Sequence, residues 1–134
     1  MPRATSNSTE TTRHELKTIE GGFIEAKRLT YGEKLQRRAM VSGMKLTGDR
    51  KSKDFQGEMN LVNEQATVFD FQRCIVSHNL TKPNPASPED EATDLPLDFS
   101  KIADIRLLDP RAGEEIDTFL SELNNFEEED DEGN

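Results

Sequence analysis

The chain has 134 residues, of which 32% are hydrophobic and 33% are charged, and its formal net charge is −10. This length accommodates about one domain of ordinary size, and the modest apolar content favours a small core over a deep enzyme cleft. The charge is uneven, because residues 1–82 hold 14 Lys and Arg against 10 Asp and Glu, whereas residues 83–134 hold 3 against 17. The acidic total disfavours broad nucleic-acid binding.

We expect neither a secretion signal nor a membrane span from this sequence. The first twenty residues are polar and rich in Thr and Ser, and no apolar run approaches the roughly 20 residues that cross a bilayer. The single cysteine, Cys74, excludes an intrachain disulfide. We therefore expect a cytoplasmic protein.

The N-terminal region predicts an arm followed by a β-hairpin. Residues 1–13 are mostly Thr, Ser, Asn and Glu, a composition typical of disorder. Two short segments, 14–20 and 23–29, flank Gly21 and Gly22. Because glycine accepts positive φ, this pair predicts a tight hairpin turn.

The centre of the chain predicts two helices. Thr30 and Glu33 form a capping-box pattern, from which a helix should run to about Leu46. A mobile loop is expected over 47–57, followed by a longer helix over 58–78 at the centre of the core. We expect this first helix to have two faces. The apolar face consists of Tyr31, Leu35, Ala39, Met40 and Met44, and the basic face consists of Lys34, Arg37, Arg38 and Lys45.

The C-terminal part predicts a loop, two helices and a tail. Four prolines and several acidic residues over 81–98 indicate a Pro-rich acidic loop, and 100–108 fits a short helix. Asp109-Pro110 is typical of a helix start, and this helix should reach about Asn125. Residues 127–134 hold six acidic residues and predict a solvated tail. The predicted fold is α+β: a single, mainly helical domain over 14–126 with an N-terminal hairpin.

The last helix carries the clearest amphipathic pattern, spaced i, i+3, i+4 and i+7. This stripe consists of Ile116, Phe119, Leu120 and Leu123. It either closes the core of the chain or binds a helix of a partner. We take these four residues as candidate partner contacts, together with the charged Arg37 and Arg38.

No residues are predicted to be catalytic, to bind a cofactor or to bind a metal. Cys74 and His78 have helical spacing but lack the three or four ligands that zinc requires. The basic stretch Lys27–Lys53 lacks the interleaved aromatic residues of a nucleic-acid interface. The clustered carboxylates have no apolar pocket to separate their pKa values. We therefore expect a protein that is not an enzyme.

Three segments together resemble a known family. They are Leu29–Arg38 (LTYGEKLQRR), Phe69–Leu80 (FDFQRCIVSHNL), and Leu108–Ile116 continued through Leu123–Phe126. In this order they resemble the tail assembly chaperones of long-tailed, siphovirus-type phages and related prophages. The similarity covers roughly residues 20–130, without the arm and the proline loop.

The resemblance implies a non-enzymatic assembly factor. Members of this family coat the tape measure protein, keep it soluble and help tail tube subunits to polymerise around it. The family often makes a second, longer product by frameshifting. The resemblance therefore implies that the chain acts in the host cytoplasm during assembly and is absent from the mature virion.

Two alternatives remain open at the level of sequence. One is a minor structural component that stays in the phage tail. The other is a small regulator that binds nucleic acid through Lys27–Lys53, for which steep salt dependence of binding would be the signature.

Overall fold

The computed structural model describes residues 2–6, 9–42 and 53–125, with residues 53–62 described by their backbone alone. The strands are β1 (Thr12–Glu15), β2 (Phe23–Ala26), β3 (Ile75–His78), β4 (Thr81–Lys82) and β5 (Leu95–Pro96). The helices are α1 (Tyr31–Ser42), α2 (Lys53–Cys74), α3 (Ile102–Ile105) and α4 (Pro110–Asn124), with a 3₁₀ turn at Glu91–Thr93. These elements form a small α+β domain with an N-terminal hairpin.

The hairpin is present, but its connection is longer than the sequence indicated. β1 and β2 pair antiparallel, with Glu15 opposite Phe23, so residues 16–22 form the connection. Gly21 has a φ of 77°, whereas Gly22 stays outside the left-handed region. The prediction of a two-residue turn was therefore wrong. β1 also begins at Thr12, which places the last two residues of the predicted arm in the sheet.

The predicted helix over 58–78 needs correction at both ends. α2 already begins at Lys53, inside the predicted loop, and it ends at Cys74; residues 47–52 of that loop lie outside the described residues. Residues 75–78 form β3, which pairs with β2 to complete a sheet of order β1-β2-β3. The β-branched Ile75 and Val76 favour a strand. Just before β3, the backbone N–H of Lys27 donates to the carbonyl of Cys74 at 2.9 Å.

The proline-rich segment is part of the folded domain. β4 and β5 pair within it, and Leu97 and Phe99 are buried in the core. The Lys82 ammonium and the backbone N–H of Asp98 both donate to the Asp104 carboxylate, at 2.8 and 2.9 Å. The prediction of a Pro-rich acidic loop over 81–98 was therefore wrong in its first and last residues. α3 is also shorter than the helix predicted over 100–108.

The C-terminal helix is confirmed. The Asp109 carboxylate accepts the backbone N–H of Arg111 at 2.9 Å, with Pro110 at the first helical position. The helix ends at Asn124, and Asn125 follows with a left-handed φ of 58°. The predicted acidic tail at 127–134 lies outside the described residues.

The core lies between the three-stranded sheet, α2 and α4. Its buried apolar members are Leu16, Ile24, Ala26, Leu29, Phe71, Cys74, Leu80, Leu97, Phe99, Ile116 and Leu120. Within the described residues, the helices are too short or too polar to span a membrane.

Candidate protein-binding surface

The segment that leads into α1 is hydrogen-bonded to the end of α4. Leu29 is buried, and its backbone N–H donates to Oδ1 of Asn124 at 2.8 Å. The side-chain amide of Asn124 in turn donates to the carbonyl of Leu120 at 2.9 Å. The predicted capping box follows directly: Thr30 N–H donates to the Glu33 carboxylate at 2.9 Å, and Glu33 N–H donates to the Thr30 hydroxyl at 3.2 Å. The position at which α1 begins is therefore well determined.

The inward side of α1 makes polar contacts. Nζ of Lys34 donates to the carbonyl of Asn124 at 3.0 Å. Nε of Arg37 donates to both carboxylate oxygens of Asp70 in α2, at 2.9 and 3.1 Å. All twelve residues of α1 are described, and none of them is buried. Hydrogen bonds and an ion pair thus hold α1 against the domain, and its apolar Met40 and Val41 are partly buried.

The Asp70 carboxylate is an unusual charged group because its side chain is only 1% exposed. Burial raises the pKa of Asp70 to about 6, although the nearby Arg37 guanidinium works in the opposite direction. Burial also raises the pKa of Asp117 in α4, whose carboxylate interacts with the same guanidinium. Two carboxylates therefore interact with Arg37 beneath α1.

An apolar stripe lies on the outward side of α1. Tyr31 is 63% exposed, Leu35 is 49% exposed, and Ala39 is exposed one turn further on. These three residues, hereafter the α1 face, follow i, i+4, i+8 spacing and form one stripe along the helix. The sequence predicted an apolar face that includes these residues but not its orientation in the domain. The ion pair with Asp70 turns Arg37 inward, and these three residues lie on the outward side.

Basic residues accompany the α1 face. Arg28, just before the helix, and Arg38, within it, are both exposed. Of the two arginines predicted to contact a partner, Arg38 is exposed, and Arg37 is partly exposed and pairs with Asp70. The predicted members Met44 and Lys45 lie outside the described residues. The surface offered to a partner is therefore apolar with positive charges beside it.

The C-terminal stripe does not belong to this surface. Ile116 and Leu120 are fully buried, and Phe119 and Leu123 pack against the same core. The Phe119 ring also stacks on His14, with 4.7 Å between ring centroids. These four residues therefore close the core of the chain. The other interpretation, in which they form a docking surface for a partner, was wrong.

Glu115 links α4 to the hairpin, and the sequence gave no signal of this role. Its carboxylate accepts the backbone N–H groups of Lys17 and Thr18, at 2.9 and 3.0 Å, and the Thr18 hydroxyl at 2.8 Å. Nε2 of His14 lies 2.6 Å from the same carboxylate. Burial alone would raise the pKa of Glu115, but these hydrogen bonds bring it down to about 2. The partners lie about 100 positions away in the chain, so local patterns could not reveal them.

Cys74 and His78 lie on different elements and have separate partners. The Cys74 thiol is buried, which raises its pKa to about 12, and it accepts from the Asn124 amide at 3.6 Å. Nδ1 of His78, which the sequence had placed in a helix, accepts the N–H of Leu80 at 3.0 Å from its position in β3. Among the described residues, no group of three or more His, Cys, Asp or Glu is arranged to hold a metal.

The three segments that carry the family resemblance meet beneath α1. Leu29 bonds to Asn124, Arg37 to Asp70, and Asn124 to Cys74, so each segment contacts the other two. No family model, curated protein or solved structure matches this chain. The interpretation of the surface therefore depends on its own geometry and on the resemblance of these segments.

Proposed function

We propose that the chain is a non-enzymatic tail assembly chaperone that binds the tape measure protein through the α1 face. The observation that carries this proposal is the exposure of Tyr31 and Leu35 on a helix whose Lys34 and Arg37 are bonded to the domain on the other side. A helix that turns its apolar side to solvent is typical of an interaction site. The resemblance of the segments around this helix to tail assembly chaperones supplies the class of partner.

The spacing of the α1 face fits a helical partner. Residues at i, i+4 and i+8 form a ridge that packs into the groove of another helix. Tyr31 adds a large side chain of the type that is enriched among energetically dominant interface residues. Tape measure proteins are long and largely helical, so they offer many amphipathic segments. The positive charge of the exposed Arg28 favours a segment with acidic residues beside its apolar stripe.

The remaining features of the proposal come from the resemblance. The chaperone acts in the host cytoplasm, assists polymerisation of the tail tube protein, is accompanied by a longer frameshifted form of itself, and is absent from the mature virion. A disordered N-terminal arm and the acidic tail at 127–134 would keep the complex soluble through their polarity and charge.

Co-expression with the tape measure protein tests the function. We expect the tape measure protein to be soluble and to co-purify with the chain, whereas the same partner expressed alone should aggregate. An unrelated, aggregation-prone helical protein, co-expressed in place of the tape measure protein, serves as a control for unspecific solubilisation. A tape measure protein that stays insoluble and does not co-purify would contradict the proposal.

Composition of mature particles separates the chaperone from the structural alternative. We expect the chain to be missing from purified tails when they are analysed by quantitative mass spectrometry. A fixed copy number in those tails would instead show a structural component. Binding of DNA or RNA with a steep salt dependence, in the absence of tape measure binding, would favour the regulator.

A further inference from the structure

The C-terminal end of α4 lies beside the first turn of α1. Asn124 is the last residue of α4, and its side-chain oxygen accepts from the backbone N–H of Leu29, two positions before α1. The carbonyl of Asn124 accepts from Nζ of Lys34, one turn into α1. The exposed Asn125 then takes the chain out of the helix with a left-handed φ of 58°. Residues 126–134, which lie outside the described residues, therefore begin next to the α1 face.

The segment 126–134, hereafter the acidic segment, combines one aromatic residue with a dense negative charge. Its sequence is FEEEDDEGN, so Phe126 precedes six consecutive acidic residues. The end of α4 is an unfavourable place for these charges, because a helix carries partial negative charge at its C-terminus. Glu122, which is exposed in the last turn of α4, adds a further negative charge. Electrostatic repulsion therefore favours an acidic segment that runs away from α4.

The start of α1 has the opposite sign of charge. Residues 27–38 hold five Lys and Arg against one acidic residue, Glu33. Of the basic residues, Arg28 is exposed directly before the helix. The N-terminal end of this twelve-residue helix adds partial positive charge. The surface therefore complements the acidic residues of the segment, while the exposed Tyr31 and Leu35 beside it offer an apolar contact for Phe126.

The acidic segment is long enough to cover the α1 face. Its nine residues span up to about 30 Å when extended, whereas the twelve residues of α1 rise by about 18 Å. Because the segment is tethered at Asn125, its effective concentration beside α1 is of the order of millimolar. Individually weak contacts therefore suffice to hold it there.

We propose that the acidic segment docks on the α1 face, with Phe126 on the apolar stripe and the acidic residues against Arg28 and the helix start, and that a partner must displace it. The segment thus has the character inferred above for the partner, an apolar contact with acidic residues beside it. Docking is a property of the chain itself, whereas its effect on partner binding rests on the proposed function. Once displaced, the segment is solvated, and its charge keeps the complex soluble.

Paramagnetic relaxation enhancement in the full chain, without a partner, measures docking directly. A nitroxide label on Asn134→Cys reports where the segment lies. Cys74 does not compete for the label, because it is buried and its pKa is raised to about 12. We expect the amide signals of α1 to lose intensity, whereas those around Leu107, just before the opposite end of α4, persist. In about 1 M NaCl, where the Debye length is about 3 Å, the α1 signals should recover.

A segment without charge is the matched control, because it keeps the length, the label and the tether. Its substitutions are Glu127→Gln, Glu128→Gln, Glu129→Gln, Asp130→Asn, Asp131→Asn and Glu132→Gln. We expect the α1 signals to keep their intensity in this labelled variant. Arg28→Gln should weaken the effect of the acidic segment in the same direction. Lys101→Gln, at an exposed position before α3, should leave that effect unchanged.

Two outcomes would overturn docking. One is an equal loss of α1 signals with the acidic and the uncharged segment, since the tether alone would then account for it. The other is an equal loss of signals in α1 and around Leu107, which would show that the segment has no preferred position.

Calorimetry with a soluble tape measure segment then tests the effect on binding. The chain with the uncharged segment should bind about threefold to tenfold more tightly than wild type, because nothing has to be displaced. Docking without any binding of the tape measure segment would contradict the proposed function but not docking. Binding of equal affinity in the two chains would contradict displacement, and binding without docking would contradict this inference alone.

Discussion

Leu29 and Asn124 are joined by a buried hydrogen bond across 95 positions of sequence, with 2.8 Å between the Leu29 nitrogen and Oδ1 of Asn124. The bond fixes where α1 leaves the sheet and where α4 ends. The Asn124 side-chain amide also donates to Leu120 and Cys74, and the Asn124 backbone carbonyl accepts from Lys34. One residue therefore connects the region in which the three familiar segments meet.

Asn124→Ala tests this junction. The substitution leaves the buried N–H of Leu29 without its acceptor, so the free energy of unfolding should fall by about 1–3 kcal/mol. Urea denaturation followed by circular dichroism measures the change. Asn125→Gly is the matched control, because Asn125 has a φ of 58° that glycine adopts readily. Equal destabilisation by the two substitutions would contradict the role of Asn124.

Glu115→Gln should destabilise the chain in a pH-dependent manner. The hydrogen bonds that hold the pKa of Glu115 at about 2 favour its charged form in the folded state. This contribution is fully present above the ordinary pKa of 4.5 and is lost as the pH falls through about 2. The difference in urea midpoint between wild type and Glu115→Gln should therefore be largest near neutral pH and shrink in acid. Glu122→Gln, at an exposed position of the same helix, should show no such difference.

Leu120 should behave as a core residue. It is fully buried, so Leu120→Ala should cost about 2–5 kcal/mol of stability. Leu107 is 63% exposed, and Leu107→Ala should change stability by about 0.5 kcal/mol or less. Thermal or urea unfolding of both variants measures this contrast. A stable, fully folded Leu120→Asp protein would show that the C-terminal stripe is a surface after all.

Asp104→Ala should loosen the proline-rich segment. The Asp104 carboxylate accepts from Lys82 and from the backbone N–H of Asp98, so it ties both ends of the segment together. We expect limited proteolysis to cut between residues 83 and 94 faster in this variant than in wild type. Asp109→Ala, which affects the start of α4 instead, should not accelerate cleavage there. Unchanged cleavage in Asp104→Ala would mean that the β4–β5 pairing suffices to order the segment.

Structural features that depend on residues close together in the chain were predicted correctly from the sequence. The capping box of Thr30 and Glu33 and the helix start at Asp109-Pro110 both depend on contacts over two or three positions. Ile75 and Val76 were misassigned because the apolar pattern of α2 continues into them, whereas their pairing with β2 depends on residues about 50 positions away.

The orientation of α1 could not be predicted for the same reason. The sequence pattern places Tyr31 and Leu35 on one apolar face, but it does not say whether that face lies against the domain. The side that faces inward is decided by Asp70, an acidic residue 33 positions after Arg37 and buried in another helix. The candidate surface therefore emerged only from tertiary contacts, and so did the Glu115 junction.

The affinity of two leucine variants for the tape measure protein tests the proposed surface most directly. Leu35→Asp places a charge in the α1 face, and Leu107→Asp places the same charge at another exposed leucine. Circular dichroism should show both variants folded, and isothermal titration calorimetry should measure their binding to a soluble tape measure segment. We expect Leu35→Asp to weaken binding at least about tenfold, because a contact leucine is replaced by a charge that must be desolvated, while Leu107→Asp binds as wild type does. Wild-type affinity in a folded Leu35→Asp protein would contradict the α1 face as the binding surface.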